Sequence, residues 1–368
     1  MNFFDKRKDI GKIVMRYLFS DILDGKIHTE PIDEVFYRKI IKGWDRLSKP
    51  INGFGVFEKL YSRIGAIQGS ENPDLEHARL IVCCADHGIV EEGVSQTDQS
   101  VTRICAENIG KGLTTAGVMA KAQGIDVCAV DVGINSKESI PGTINKRIRR
   151  GTANFLKENA MTGQECILAM QLGMDLVMES KENGYSLILL GEMGIGNTTS
   201  AAVMAGYLLG MSAKEVTGRG AGLDDAGLNK KVSVVEKALS MYDKLEPLEI
   251  MSCFGGLELA ALSGIVIGGA LYHVPVVLDG MLSMVSALVA ERLLEGTRNY
   301  LLPSHKSNEP VTEALAKELE IEPVICGGMA LGEGTGAVMM MSLLKMADVA
   351  YKKALKFGES GVSQYSRF

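Results

Sequence analysis

The residues best placed to do chemistry lie in one stretch, Tyr185–Leu209, which reads YSLILLGEMGIGNTTSAAVMAGYLL. The run Leu187–Leu190 has the length and apolar character of a strand buried on both faces. Glycines at 191, 194 and 196 then break it, and Thr198 opens a segment rich in Ala, Met and Leu that suits a helix. A strand, a glycine turn and a helix start aim several unpaired backbone N–H groups at one point, which favours an anion and most often a phosphate. The turn Gly191–Asn197 with the helix start at Thr198 is therefore the candidate cradle. The turn holds no lysine, so it is not a P-loop, and its glycines do not follow the GxGxxG order of a dinucleotide site. An empty, tight strand-to-helix turn is the plain structural alternative.

Two acids stand where the backbone leaves room for a close substrate: Glu192 in this turn, and Glu333 between Gly332 and Gly334. A carboxylate beside a phosphate cradle is repelled by it unless the chemistry needs negative charge there. Cleavage of an N-glycosidic bond is such a case, because positive charge builds at the anomeric carbon and nearby carboxylates stabilise it. Either glutamate would serve as a general base if burial raised its pKa toward neutrality. Spacing alone thus points to a phosphoribosyl or nucleotide enzyme. For Glu333 the alternative is a surface acid in a flexible loop.

These residues need a scaffold, and the chain alternates strand and helix patterns. Leu80–Ala85 and Val127–Val130 read as buried strands ending at Asp86 and Asp131, and Val274–Leu278 as another ending at Asp279. Thr162 and Glu165 have capping-box spacing at a helix start, and Leu257–Leu271 and the Met-rich segment from Ala337 read as apolar helices. The predicted fold is α/β, a doubly wound and mostly parallel sheet, with a smaller helical domain from the chain termini. The expected division is 1–70 helical, 71–336 α/β, and 337–368 a C-terminal helix and tail. Such sheets bind ligands beyond the carboxyl ends of their strands, so Asp86, Asp131, Glu192 and Asp279 form an expected rim of carboxylates. Residues 132–160 show no period and carry Lys146, Arg147, Arg149 and Arg150, which read either as a solvated loop or as an anion-contacting lid.

Composition narrows the function. A net charge of −6 and a single tryptophan, Trp44, argue against nucleic acid as a partner. The most apolar stretch, Leu259–Tyr272, is shorter than a bilayer requires, so no membrane is expected. Seven cysteines without a CxxC pair read as reduced residues of a cytoplasmic protein, and no signal-peptide pattern follows Asn2–Phe4. The scattered histidines do not make a metal-ligand set.

Six motifs occur in order: CADHGIVEEGV from Cys84, GEMGIGNTTS from Gly191, TGRGAGLDDAGLNKK from Thr217, VVLDG from Val276, PSHKS from Pro303 and LGEGTG from Leu331. Together they closely resemble the nicotinate-nucleotide–dimethylbenzimidazole phosphoribosyltransferase family, over about residues 40 to 350. The resemblance implies transfer of 5-phosphoribose from nicotinate mononucleotide to an aromatic base in cobamide assembly, with inversion to an α-riboside. It implies no metal and no organic cofactor, and a homodimer or a pairing with a related subunit. By the same resemblance Glu333 is the general base and Glu192 the acid near the ribose. The phosphate would draw on Gly194, Gly196, Asn197, Thr198, Gly220 and Lys231, with Ser307 on the nucleotide side. Asp86, Thr97, Cys105, Met193 and Leu331 would border the base.

The chain departs from that pattern at the base pocket. Gln96-Thr97-Asp98 replaces a Ser-Pro or Tyr-Pro pair, and Cys105 stands where a glutamine is usual. Loss of that amide removes a hydrogen-bond partner for a benzimidazole nitrogen, which leaves a purine, another benzimidazole or a phenol open as acceptor. Three rivals predict differently. A magnesium-dependent transferase would show paired acids before its phosphate loop, a non-catalytic nucleotide-binding module would be indifferent to Glu333, and a dinucleotide oxidoreductase would need the GxGxxG order.

Overall fold

The computed structural model describes residues 15–367; residues 1–14 of the expected helical N-terminal segment lie outside the described residues. Six strands form one parallel sheet: β1 (Ala78–Ala85), β2 (Asp126–Gly133), β3 (Ile144–Asn145), β4 (Leu187–Met193), β5 (Val276–Val277) and β6 (Leu301–Leu302). Their order is β3-β2-β1-β4-β5-β6. The chain therefore winds outward from β1 in one direction and then restarts on its other side with β4. The crevice between β1 and β4 is the switch point at which doubly wound sheets take their ligands.

Alternation along the strands builds two cores. Ile81 and Cys83 of β1 face the cluster made with helices Gly163–Glu182, Asn197–Leu209 and Leu257–Leu271. Leu80 and Val82 face the opposite cluster, shared with helices Val56–Gln68 and Thr335–Lys353. Because both faces are covered, the strands read as unbroken apolar runs. Helices from the two chain ends join this second cluster: Trp44 lies 4.9 Å from Tyr351 between ring centroids, and Tyr61 donates to Asp348 at 2.7 Å.

Three sequence expectations shift. The strand β4 does not stop at Leu190; Gly191, Glu192 and Met193 continue it, paired with Val82, Cys83 and Cys84. A neighbouring strand supplies partners that outweigh glycine's weak strand preference. The glycine turn therefore begins at Gly194, and Glu192 sits on the sheet itself.

Two of the four cations of the basic run in 132–160 are tied into the fold, while Lys146 and Arg150 stay exposed. Arg147 grips Asp131 at 2.6 Å and the carbonyls of Ser136 and Glu138, while Arg149 pairs with Glu165 at 3.2 Å. The rim of four acids is the third correction, because Asp131 is consumed by Arg147.

Asp279 ties the end of the chain to the sheet. Its carboxylate accepts from the N–H groups of Gly334, Gly336 and Ala337, at 3.0, 2.8 and 3.3 Å. The helix Thr335–Lys353 has no side-chain cap of its own, since its N-cap is Gly334. A residue more than fifty positions earlier thus does the work of a cap, and the negative charge meets the positive end of the helix dipole. Asp279→Ala is expected to cost about 2–3 kcal/mol of stability, from the lost charge-assisted bonds and the stranded N–H groups. Denaturant unfolding measures it, and an unchanged midpoint would mean that the turn before this helix is held by other contacts.

Candidate active site

A cavity of ≈ 350 Å³ opens at the carboxyl edge of β4 and β5, between the 191–198 segment and the 330–333 turn. Its two ends differ. One is bordered by Thr198, Gly220, Ser307 and Glu309, the other by Thr97, Val101, Cys105 and Leu331, with Glu192 and Glu333 also in its wall.

The two glutamates meet because their backbones interlock. A methyl group on Gly191 would stand 2.7 Å from the Glu333 carbonyl oxygen, and one on Gly332 would stand 2.8 Å from Glu192 Oε1. Only glycine at both places lets the turn lie against the strand. Glu333 itself has φ 59, a left-handed conformation unusual for a residue with a side chain. Such strain persists where surrounding contacts over-determine it, and here the turn is held by Asp279 just beyond.

Burial raises the Glu333 pKa, aided by Asp279, while the Thr114 hydroxyl and the Ala116 N–H pull the other way. Glu333 Oε2 is buried with no hydrogen-bond partner among the described residues. Glu192 is pushed up to about 8 by burial and then by the charges of Glu258 and Asp279, against a hydrogen bond from the Asn197 amide. These neighbours favour the protonated form of Glu192, and an arriving positive charge would draw the proton off.

At the other end the helix Asn197–Leu209 starts from Gly196, whose φ of 100 suits glycine and which brings no side-chain cap. The dipole of that helix thus opens toward the cavity at Asn197 and Thr198. Behind Thr198 lies Lys231, wholly buried, donating to Thr198 Oγ1 at 2.8 Å. Burial lowers its pKa to about 8, with Glu309 opposing the shift. A phosphate bound by Thr198 and Gly220 would feel this cation through one hydroxyl.

Most expected site residues border the cavity: Gly194, Asn197, Thr198, Gly220 and Ser307 toward one end, Thr97, Cys105, Met193 and Leu331 toward the other. Three do not. Lys231 stands one layer back. Gly196 packs beneath the turn, where a methyl group would stand 2.8 Å from Val90 and 3.1 Å from His87. Asp86, expected near the base, is buried and accepts from the Asn135 N–H at 2.7 Å, tying the loop after β2 to β1. Asp98 lies at the start of the helix Ser100–Gly110, where it accepts from the Ser100 N–H at 2.8 Å.

Sequence reasoning missed His305 and Glu309. His305 is buried in the cavity wall with Nδ1 3.7 Å from Asp279 Oδ1, and burial lowers its pKa. Its signal was the PSHKS motif, from which only Ser307 was drawn. Glu309 Oε1 accepts from the Gly220 N–H at 2.9 Å, a contact across 89 positions that no local pattern marks.

Comparison with known proteins follows the same lines. A family model described as phosphoribosyltransferase matches residues 29–362. The nicotinate-nucleotide–dimethylbenzimidazole phosphoribosyltransferase of Ruminiclostridium cellulolyticum is 37% identical over 330 residues, covering 89% of this chain and 94% of that protein. Its namesake from Pseudomonas putida is 37% identical over 337 residues, covering 91% and 96%. The solved structure of the enzyme of that name from Thermus thermophilus superposes with a TM-score of 0.84 at 35% identity, over 91% of this chain and all of that one. Among the described residues no helix is long and apolar enough to cross a membrane.

The buried lysine gives a pH signature. Binding of a phosphate monoester to the free protein is expected to weaken as pH rises through about 8, where Lys231 loses its charge. Titration calorimetry from pH 7 to 9.5 measures it, and Lys231→Met should bind weakly at every pH. An affinity flat across this range in the wild type would remove Lys231 from the phosphate subsite.

Proposed function

Because the chain belongs to the nicotinate-nucleotide–dimethylbenzimidazole phosphoribosyltransferase family, we propose that it moves 5-phosphoribose from nicotinate mononucleotide to an aromatic lower-ligand base of a cobamide. The observation that carries this reading is the apposition of Glu192 and Glu333 in one cavity wall, with a buried lysine behind the opposite end.

The chemistry follows from that arrangement. The phosphate binds at Thr198, Gly220 and Ser307, which sets the anomeric carbon between the two ends. The pyridinium ring leaves as nicotinate, taking the electron pair of the broken C–N bond, so departure needs no general acid. A nitrogen of the incoming base forms the new bond from the opposite face, giving the α-riboside by a single displacement. Its N–H proton passes to the Glu333 carboxylate, whose raised pKa suits a base working near neutrality. Glu192, charged once the cationic substrate is present, faces the positive charge that builds on the ribose. No step in this scheme uses a metal.

The base end supports a second reading of the acceptor. Thr97, Val101, Cys105 and Leu331 provide no side-chain amide there, and the Cys105 thiol lies close enough to Glu333 to be influenced by its charge. A phenol or a purine is therefore kept beside dimethylbenzimidazole. The family resemblance supports a working state in which the chain pairs with a second copy or a related subunit. The free cysteines suit a reducing cytoplasm.

Incubation with nicotinate mononucleotide and a panel of bases is expected to release nicotinate in the presence of EDTA, with an α-riboside phosphate identified by NMR. Folded protein that releases none with any base would refute the assignment. For the general base, the acid limb of kcat/KM should lie above the ordinary glutamate range, since Glu333 must be deprotonated to act and burial raises its pKa in the free protein. Glu333→Gln should lower kcat by about 10²–10⁴-fold and remove its own contribution to that limb. For the base pocket, Cys105→Gln should raise the kcat/KM ratio of dimethylbenzimidazole over a phenol by about tenfold or more, through the restored amide; an unaltered ratio would detach Cys105 from base selection.

A further inference from the structure

Glu309 is an anionic side chain in a corner suited to anions. It follows Ser307 by two residues, borders the phosphate end of the cavity, and accepts from the Gly220 N–H through Oε1 at 2.9 Å. Its other oxygen, Oε2, is buried without a hydrogen-bond partner among the described residues. A methyl group on Gly218 would stand 2.0 Å from that oxygen, so the carboxylate is pressed onto the 217–222 loop. The nearby cation, Lys231, donates to Thr198 rather than to Glu309.

Two carboxylates that pin the fold are better served. Asp279 holds three N–H groups, and Asp131 holds an arginine by two nitrogens. Glu309 holds one N–H, and that N–H belongs to a glycine that the phosphate itself would need.

We propose that the Glu309 carboxylate is a tethered stand-in for the substrate phosphate, seated on Gly220 in the empty enzyme and displaced when a phosphorylated nucleotide binds. This inference rests on the phosphate subsite described above. Displacement has an exit, because Asn308 and Pro310 on either side are exposed and Glu309 is only half-buried. A tethered competitor acts at an effective concentration on the order of millimolar. It weakens every phosphate-bearing ligand by one common factor. Inorganic phosphate, which has only this corner to bind, is then kept out at the concentrations at which it would otherwise block the site. A nucleotide also has its ribose and ring contacts, and it still displaces the carboxylate.

The test compares wild type, Glu309→Gln and Glu309→Ala by titration calorimetry with inorganic phosphate and with nicotinate mononucleotide, thermal unfolding serving as the folding check. Glu309→Ala is expected to tighten both ligands by the same factor, about tenfold. Glu309→Gln should tighten both by several-fold, since its amide oxygen is a weaker, neutral acceptor for Gly220. Unchanged or weaker binding of both ligands would overturn the proposal, as would a loss confined to the nucleotide, which would mean that Glu309 touches the ribose. Lys231→Met separates the two levels of inference. If it leaves phosphate affinity intact, the subsite itself is misplaced, whereas if it weakens phosphate while the Glu309 variants change nothing, only the stand-in fails.

Discussion

The site depends on a backbone contact between two distant segments: the 332–334 turn lying flat on the end of β4. Gly191 offers no side chain to that turn, and Gly332 offers none to Glu192. The contact would slide if nothing pinned it, and the pin is Asp279, whose carboxylate gathers the first N–H groups of the helix that follows. One anchored helix start thus fixes a strained residue, Glu333, at the point where its carboxylate joins the cavity wall. Holding a non-glycine residue at positive φ costs of order 1–3 kcal/mol, which the cap offsets. A looser turn would let Glu333 relax, and the general base proposed for it would lose much of its advantage on wandering by about an ångström.

Electrostatics then follow from crowding. Glu192 is surrounded by Glu258, Asp279 and Glu333 within a buried region, and each of these charges favours its protonated form. At the other end of the cavity the charge of Lys231 is likewise discouraged by burial. Both ends are therefore tuned away from charge and toward it again by the same substrate. A ligand with a cationic ring and a phosphate tail would restore negative charge at one end and positive charge at the other. A site whose buried charges are each reinforced by the matching end of the ligand favours such a zwitterionic ligand over either half alone.

Much of this could be read in the chain because the decisive signals are local. A short apolar run, a glycine turn and a helix start within Tyr185–Leu209 define the switch-point strand, and the Gly-Glu-Gly of 332–334 marks a tight turn around an acid. The acids at strand ends were harder. Asp86, Asp131, Glu192 and Asp279 look alike in sequence, yet one tethers Asn135, one grips Arg147, one anchors a helix 55 residues on, and one faces substrate space. What separates them is the partner each finds across the fold, and no local pattern carries that. For Lys231 only the family resemblance points to the phosphate, and its place one layer behind Thr198 is set by the packing of the helix Asp225–Leu239, which no local pattern carries.

The Asp86-His87-Gly88 corner shows why types and proximity do not by themselves make a mechanism. His87 has Ser200 Oγ 2.8 Å from Nδ1 and Glu258 Oε1 2.6 Å from Nε2, a serine–histidine–glutamate set by composition. All three are fully buried, and the serine lies inside the helix Asn197–Leu209 rather than on an exposed turn. No substrate reaches it. Its position gives it a supporting role instead. Methyl groups on Gly194 and Gly256 would stand 3.4 Å and 2.3 Å from the His87 ring, so the imidazole is the floor on which the glycine turn rests. A polar floor, bonded at both nitrogens, keeps its orientation where an apolar one of similar size would be free to rotate. The precision of the turn above it, and hence of the phosphate cradle proposed there, rests on that fixed ring.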